Sequence, residues 1–137
     1  VYHDAMARLK RKIDGAREHL PAPVIREEEK KDLGVIFYGS MENSIVEIDD
    51  MLEESGLSVS TCRIRALPLH SDVEDFVRRH DRTIVLEINR DGQLFGIIRK
   101  EFPAELIPKI HSVSYSDGMP PRARVYSDMI LEVLEGL

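Results

Sequence analysis

Apolar positions along this chain follow two kinds of spacing. Met6, Leu9, Ile13, Ala16 and Leu20 step by three and four, so they share one face of a helix. Pro21 and Pro23 end that helix. Its other faces hold Arg8, Lys10, Arg11, Lys12 and Arg17. They read as a solvated outer surface and not as a membrane-surface helix, because the stripe has no Trp or Phe to anchor in lipid. Beyond the mixed-charge run Arg26–Asp32, read as a solvated loop, the spacing changes. Val35-Ile36-Phe37-Tyr38 is a short continuous apolar run, as in a strand buried on both faces, and Gly39 ends it. Met41, Ile45, Ile48 and Leu52 return to helical spacing, closed by Gly56.

The alternation continues to the end of the chain. Residues 57–64 are rich in β-formers, and Ser71-Asp72-Val73-Glu74 reads as a capping box opening a helix with Val73, Phe76 and Val77 inward. Thr83 to Ile88 is a second continuous apolar strand, turned by Asn89-Arg90-Asp91-Gly92. Leu94, Ile97, Ile98 and Phe102 mark another helix, and Pro103 and Pro108 bracket a short helical piece. His111 to Tyr115 is a further strand. Pro120 and Pro121 open a last helix whose stripe is Tyr126, Met129, Ile130, Val133, Leu134 and Leu137.

Strands alternating with helices predict a three-layer α/β/α sandwich around a mostly parallel sheet of four or five strands. The runs at 35–38 and 84–88 are its expected central strands. Val24-Ile25 is a candidate fifth strand at an edge. Residues 1–32 are expected to form an N-terminal helix and linker, and 33–137 the α/β domain.

The composition limits what such a domain does. With 19 Lys and Arg against 25 Asp and Glu the chain is acidic, which speaks against a nucleic-acid partner. No apolar run nears the ~20 residues that span a bilayer, and the first twenty residues lack the apolar stretch of a signal peptide. No membrane partner is expected, and the expected compartment is the cytoplasm. Cys62 is the single cysteine, so this chain holds neither an internal disulfide nor an all-cysteine metal or cluster site. It reads as a buried, inert thiol in a strand. The five histidines, His3, His19, His70, His80 and His111, include no pair at metal-binding helical spacing. His70 precedes a helix cap, and His80 is expected in a last helical turn, where a cation suits the helix dipole. The chain starts at Val1 without an initiator Met, which leaves a piece of a longer polypeptide open.

In an open parallel sheet, ligands lie at the carboxyl ends of the strands. Gly39-Ser40 occupies such a place, but its surroundings match neither the dinucleotide pattern nor the P-loop, and Ser40 reads as a plain N-cap. No Gly-x-Ser-x-Gly elbow exposes a serine nucleophile. The densest segment is Glu87-Ile88-Asn89-Arg90-Asp91-Gly92-Gln93. Glu87 interrupts an apolar run and therefore needs a partner or an open strand end. The residues alone leave two roles open for this segment, a functional loop and an interface loop.

The same segment begins a resemblance. Ile64-Arg65-Ala66-Leu67-Pro68-Leu69-His70-Ser71, then Phe76-Val77 with His80, then Val85 through Leu94 resemble one domain. That domain is the transketolase-C-like domain of the alpha subunit of 2-oxoacid:ferredoxin oxidoreductases, most similar to the 2-oxoglutarate type. Gly39-Ser40 and Asp117-Gly118-Met119-Pro120 fit the family's order. The likeness covers about residues 33–135, and the N-terminal helix resembles the family's linker arm.

The resemblance implies a parent enzyme that oxidatively decarboxylates a 2-oxoacid, forms an acyl-coenzyme A and reduces ferredoxin. It implies thiamine diphosphate, Mg²⁺, coenzyme A and iron–sulfur clusters in that parent. None of these is expected to be bound by this chain alone, which lacks the Gly-Asp-Gly-type motif and the cysteines. The implied partners are the rest of the alpha subunit, a beta subunit and, through the parent, ferredoxin. Gly39, Ser40, Glu87, Asn89, Arg90, Asp91, Gly92 and Gln93 are then candidates for a subunit-interface loop, with no catalytic residue and no metal ligand. The alternative is a free-standing module that binds a nucleotide or acidic metabolite at the strand ends.

Overall fold

A computed structural model describes residues 1–137. Helix α1 (Tyr2–Ala16) leads through a 3₁₀ turn to β1 (Val24–Arg26) and β2 (Leu33–Tyr38). Next come α2 (Glu42–Glu54), β3 (Val59–Ile64), α3 (Ser71–Arg79), β4 (Arg82–Glu87) and α4 (Gln93–Glu101). A 3₁₀ segment, Ala104–Lys109, joins β5 (Ile110–Ser114), and α5 (Ala123–Glu135) closes the chain. The sheet order is β1-β3-β2-β4-β5. β3, β2, β4 and β5 pair in parallel, and β1 runs antiparallel at the edge, where Ile25 faces Cys62. The segment ahead of residue 33 therefore contributes a strand to the sheet. No helix is long and apolar enough to cross a membrane.

The continuous apolar runs are explained by the two helical layers. Strand residues alternate faces. Val35, Phe37, Ile84 and Leu86 point to α2 and α5, where Ile48, Leu52, Tyr126 and Ile130 are buried. Ile36, Val85 and Cys62 point to α3 and α4, against Phe76, Val77 and Ile98. Gly34 sits on this second face in the middle of the sheet. A Cβ there would stand 2.6 Å from the Phe76 ring and 3.2 Å from the His80 ring, so only glycine lets α3 settle this low.

Several helix ends differ from the sequence expectation. The cap of α3 is His70, whose Nδ1 accepts from the Asp72 amide at 3.2 Å. Ser71 is already helical and donates to Glu18 at 3.2 Å, while Glu74 takes Arg78 at 2.6 Å, so no capping box forms. Ser40 caps nothing: it lies in a 3₁₀ turn, Gly39–Met41, that feeds α2 directly. Pro120 and Pro121 stay outside α5, which starts at Ala123, and the Pro121 carbonyl accepts from Ser44 at 2.9 Å. His80 lies one residue past α3, buried, with Nδ1–H donating to the Phe76 carbonyl at 2.7 Å. Burial holds its pKa below the usual histidine value, so it sits there neutral and not as a cation on the dipole. The run 26–32 is only partly a free loop. Arg26 ends β1 and pairs with Asp49 of α2, and Glu27 joins Lys31 to Arg79.

Candidate functional site

The chain leaves β2 toward β3 and leaves β4 toward β5, so the crevice between the carboxyl ends of β2 and β4 is the topological switch point. A cleft of about 350 Å³ opens beside it, lined by Tyr38, Gly39, Ile64, Leu67, Leu94 and Gln93. Its walls are mostly apolar, with Arg65 at the rim.

Glu87, the last residue of β4, is fully buried at this end of the sheet. No cation pairs with it. Its Oε1 accepts from the Leu94 amide at 2.7 Å and from Asn89 Nδ2 at 3.0 Å, with the Tyr38 hydroxyl at 3.4 Å. Its Oε2 accepts from the Phe95 amide at 3.0 Å. The carboxylate thus occupies the first turn of α4, where free amides and the helix dipole favour negative charge. Burial pushes the pKa of the Tyr38 hydroxyl up, and the charge of Glu87 adds to that.

Asn89 completes the turn. Its Oδ1 accepts from the amides of Asp91 at 3.1 Å and Gly92 at 2.7 Å, and its Nδ2 reaches the Tyr38 hydroxyl at 3.1 Å. Gly92 has φ +61°, and a Cβ there would press on Ser112 Oγ at 3.1 Å. Ser114 ties the turn to β5: its hydroxyl donates to the Asn89 carbonyl at 2.5 Å and accepts from the Gly92 amide at 3.1 Å. The structure therefore draws Glu87, Asn89 and Gly92 into one closed network. Arg90 and Asp91 face outward and pair with each other at 2.7 Å. Gln93 and Gly39 are exposed in the lining of the cleft, and Ser40 is exposed but does not line it.

Two members of the network escaped the sequence reading. Tyr38 ends an apolar strand with a polar tip, a recognisable sign of a hydrogen bond at a strand end. Ser114 is Glu87's cross-strand partner in register, which no local pattern reveals.

The chemistry on offer is limited. Cys62 faces the core, and burial pushes its thiol up to about 12, so it stays protonated and unreactive. Nowhere do three His, Cys, Asp or Glu side chains converge on a point that could hold a metal. Mg²⁺ takes oxygen ligands, and the one carboxylate buried beside the cleft already has both oxygens engaged inside the chain. The residues present do not fit thiamine diphosphate with Mg²⁺.

Structural comparison gives this arrangement a wider setting. Over 95% of its length the chain superposes on 2-oxoglutarate:ferredoxin oxidoreductase from Magnetococcus marinus, with a TM-score of 0.76 and 23% sequence identity. That structure holds 2-oxoglutarate, coenzyme A and succinyl-CoA. This is the transketolase C-terminal-like fold. A split-gene transketolase, solved as an inactive β4 tetramer, matches 79% of the chain with a TM-score of 0.57 and 18% identity. The chain spans 23% of the length of the first of these neighbours and 40% of the second. No protein-family model and no curated protein matches the sequence. The transketolase C-terminal-like fold is thus shared while most side chains differ.

Proposed function

We propose that this chain is a non-catalytic assembly domain of a thiamine-diphosphate-dependent 2-oxoacid:ferredoxin oxidoreductase, in its alpha subunit and of the 2-oxoglutarate type. The parent enzyme decarboxylates a 2-oxoacid to an acyl-coenzyme A in the cytoplasm and reduces ferredoxin. Thiamine diphosphate, Mg²⁺, coenzyme A and the iron–sulfur clusters are held by the rest of the alpha subunit and by a beta subunit. The observation that carries this reading is the agreement of fold over 95% of the chain with a stretch amounting to 23% of such an oxidoreductase. The ordered motifs at residues 64–71 and 85–94 support it from the sequence.

Glu87 argues against the nucleotide- or metabolite-binding alternative. At the start of α4, the amides that would meet a phosphate or carboxylate already donate to Glu87. The loop from Asn89 to Gln93 then serves as a rigid contact surface, with Arg90 and Asp91 outward.

The test is 2-oxoglutarate- and coenzyme-A-dependent reduction of a viologen dye by the complex purified from the source organism, with peptide mapping of the active fraction. Peptides of this chain are expected in that fraction at the stoichiometry of the other subunits. An active fraction without them overturns the reading.

A further inference from the structure

The N-terminal helix is the one long element that buries nothing. None of the 15 residues of α1 is buried. Tyr2, Met6, Leu9 and Ile13 are 71%, 43%, 48% and 47% exposed, and they follow a four-three-four spacing. That spacing makes a narrow seam of the kind one helix presents to another, narrower than the broad stripe a helix lays on a core or a lipid surface. Only the base of the arm is fastened. Arg17 donates to the Leu69 carbonyl at 2.8 Å and to Glu101 at 3.3 Å, and Glu18 meets His70 and Ser71 at 3.2 Å. A helix of this length, ending in Gly15-Ala16 and covered on no side, is marginal in water by itself.

The charges beside the seam select its partner. Along the exposed part these flanking positions are His3, Ala5, Lys10 and Lys12, without a carboxylate. Lys10 holds Asp14 on the outer side at 2.6 Å, and Lys12 is free to face across the seam. A second copy in parallel would bring Lys12 against Arg17, and a centred antiparallel copy would set lysines beside lysines. Residues 1–20 hold five Lys or Arg and three Asp or Glu, while the rest of the chain holds fourteen and twenty-two. The arm is a basic element on an acidic body.

From this we infer that α1 is a docking helix whose partner is a helix of another polypeptide segment, apolar along its seam and flanked by Asp and Glu. The inference deepens the assembly reading and rests on it. A match over 95% of the chain has to include part of α1, and the neighbour it matches is more than four times as long, so that chain holds further polypeptide beyond the matched stretch.

The probes are two synthetic three-heptad peptides with Leu at the seam, one flanked by Glu and one by Lys. They are titrated against the full chain by fluorescence anisotropy. Vesicles of phosphatidylcholine with phosphatidylserine, and sedimentation of the chain alone, are run beside them. The Glu-flanked peptide is expected to bind, and Leu9→Asp to weaken it more than about tenfold with the melting temperature unchanged. Lys12→Glu is expected to weaken it also and to gain binding of the Lys-flanked peptide, and added salt to weaken the original pair. Failure of the Glu-flanked peptide overturns the proposal, whether the seam instead binds vesicles, pairs with itself or binds nothing. Indifference to Leu9→Asp and Lys12→Glu overturns it as well. These outcomes concern the arm alone. The assembly reading fails separately, if the active complex lacks this chain.

Discussion

Glu87 is a fully buried carboxylate with no cation beside it, and it is stabilised by geometry instead of charge pairing. Two helix amides and one side-chain amide donate to it, and hydrogen bonds to a charged group are about twice as strong as neutral ones. Glu87→Ala leaves the Leu94 and Phe95 amides without an acceptor, so it should cost roughly 2–4 kcal/mol. Glu87→Gln keeps one acceptor and should cost less. Urea denaturation of the three proteins checks the order, which fails if Ala is the milder change. The sequence announced that Glu87 needed a partner, because a charge inside an apolar run demands one. It could not name the partners, since the Leu94 and Phe95 amides lie seven and eight residues on.

His80 offers a second test. Its Nε2 and the hydroxyl of Thr83 are buried without partners, and Thr83 is the cross-strand neighbour of Gly34, where an added Cβ would stand 3.2 Å from the His80 ring. Burial lowers the pKa of His80, against the pull of the Phe76 carbonyl. The unfolded chain then takes up a proton near pH 6.5 that the folded chain refuses until the pH is lower. Stability is therefore full above that pH and falls as the pH drops through it, by up to about 1.4 kcal/mol per pH unit for one proton. His111, also lowered by burial, adds in the same direction. Melting curves between pH 7.5 and 5 should show the loss, and His80→Gln should flatten it. A slope unchanged by that substitution would show that His80 titrates normally. The sequence put His80 in a helical turn as a cation. Its true position one residue later, under the sheet, depends on how low α3 sits.

At the scale of elements, the close approach of α3 to β2 hangs on Gly34. Gly34→Ala forces the Phe76 ring to move, and overpacking of this kind costs about 1–3 kcal/mol. Pairing Gly34→Ala with Phe76→Leu should recover much of that loss in a double-mutant cycle, and additive losses would argue against the contact. Val85 lies in the adjacent strand with no exposed surface, so Val85→Asp should abolish cooperative unfolding, because an unpaired buried carboxylate costs several of the ~5–15 kcal/mol that hold a domain together. The strands were the most readable part of the sequence, since burial on both faces leaves a run of apolar residues that few other settings need. The helix ends were the least readable. Ser40 and Ser71 are both good caps by type, yet a 3₁₀ turn and the His70 ring took the two positions, and local chemistry cannot rank such competitors.

For the molecule as a whole, the assembly reading predicts a division between stability and function. Purified alone, the chain should fold yet show no 2-oxoacid oxidation when given thiamine diphosphate, Mg²⁺, coenzyme A and a dye. Turnover above a heat-killed control would refute that. Arg90→Ala should leave the unfolding midpoint of the chain unchanged, because Arg90 is exposed and meets only its neighbour Asp91. In the complete enzyme the same change should weaken subunit association, measured by mass photometry across dilution. Intact assembly with lost turnover would place the loop at an active site.

The strand order has a consequence for how the protein is made. β2 is the central strand but the first of the parallel set to leave the ribosome. Its neighbours arrive later, β3 after α2 and β4 only after α3. Until then the apolar run Leu33–Phe37 has no strand to pair with, and unpaired apolar strands in nascent chains are what chaperones bind. The face toward α2 waits longest, because Tyr126 and Ile130 of α5, which follows all five strands, complete its cover. A ribosome stalled before α5 would hold out a five-stranded sheet with α2 as the only helix on one face.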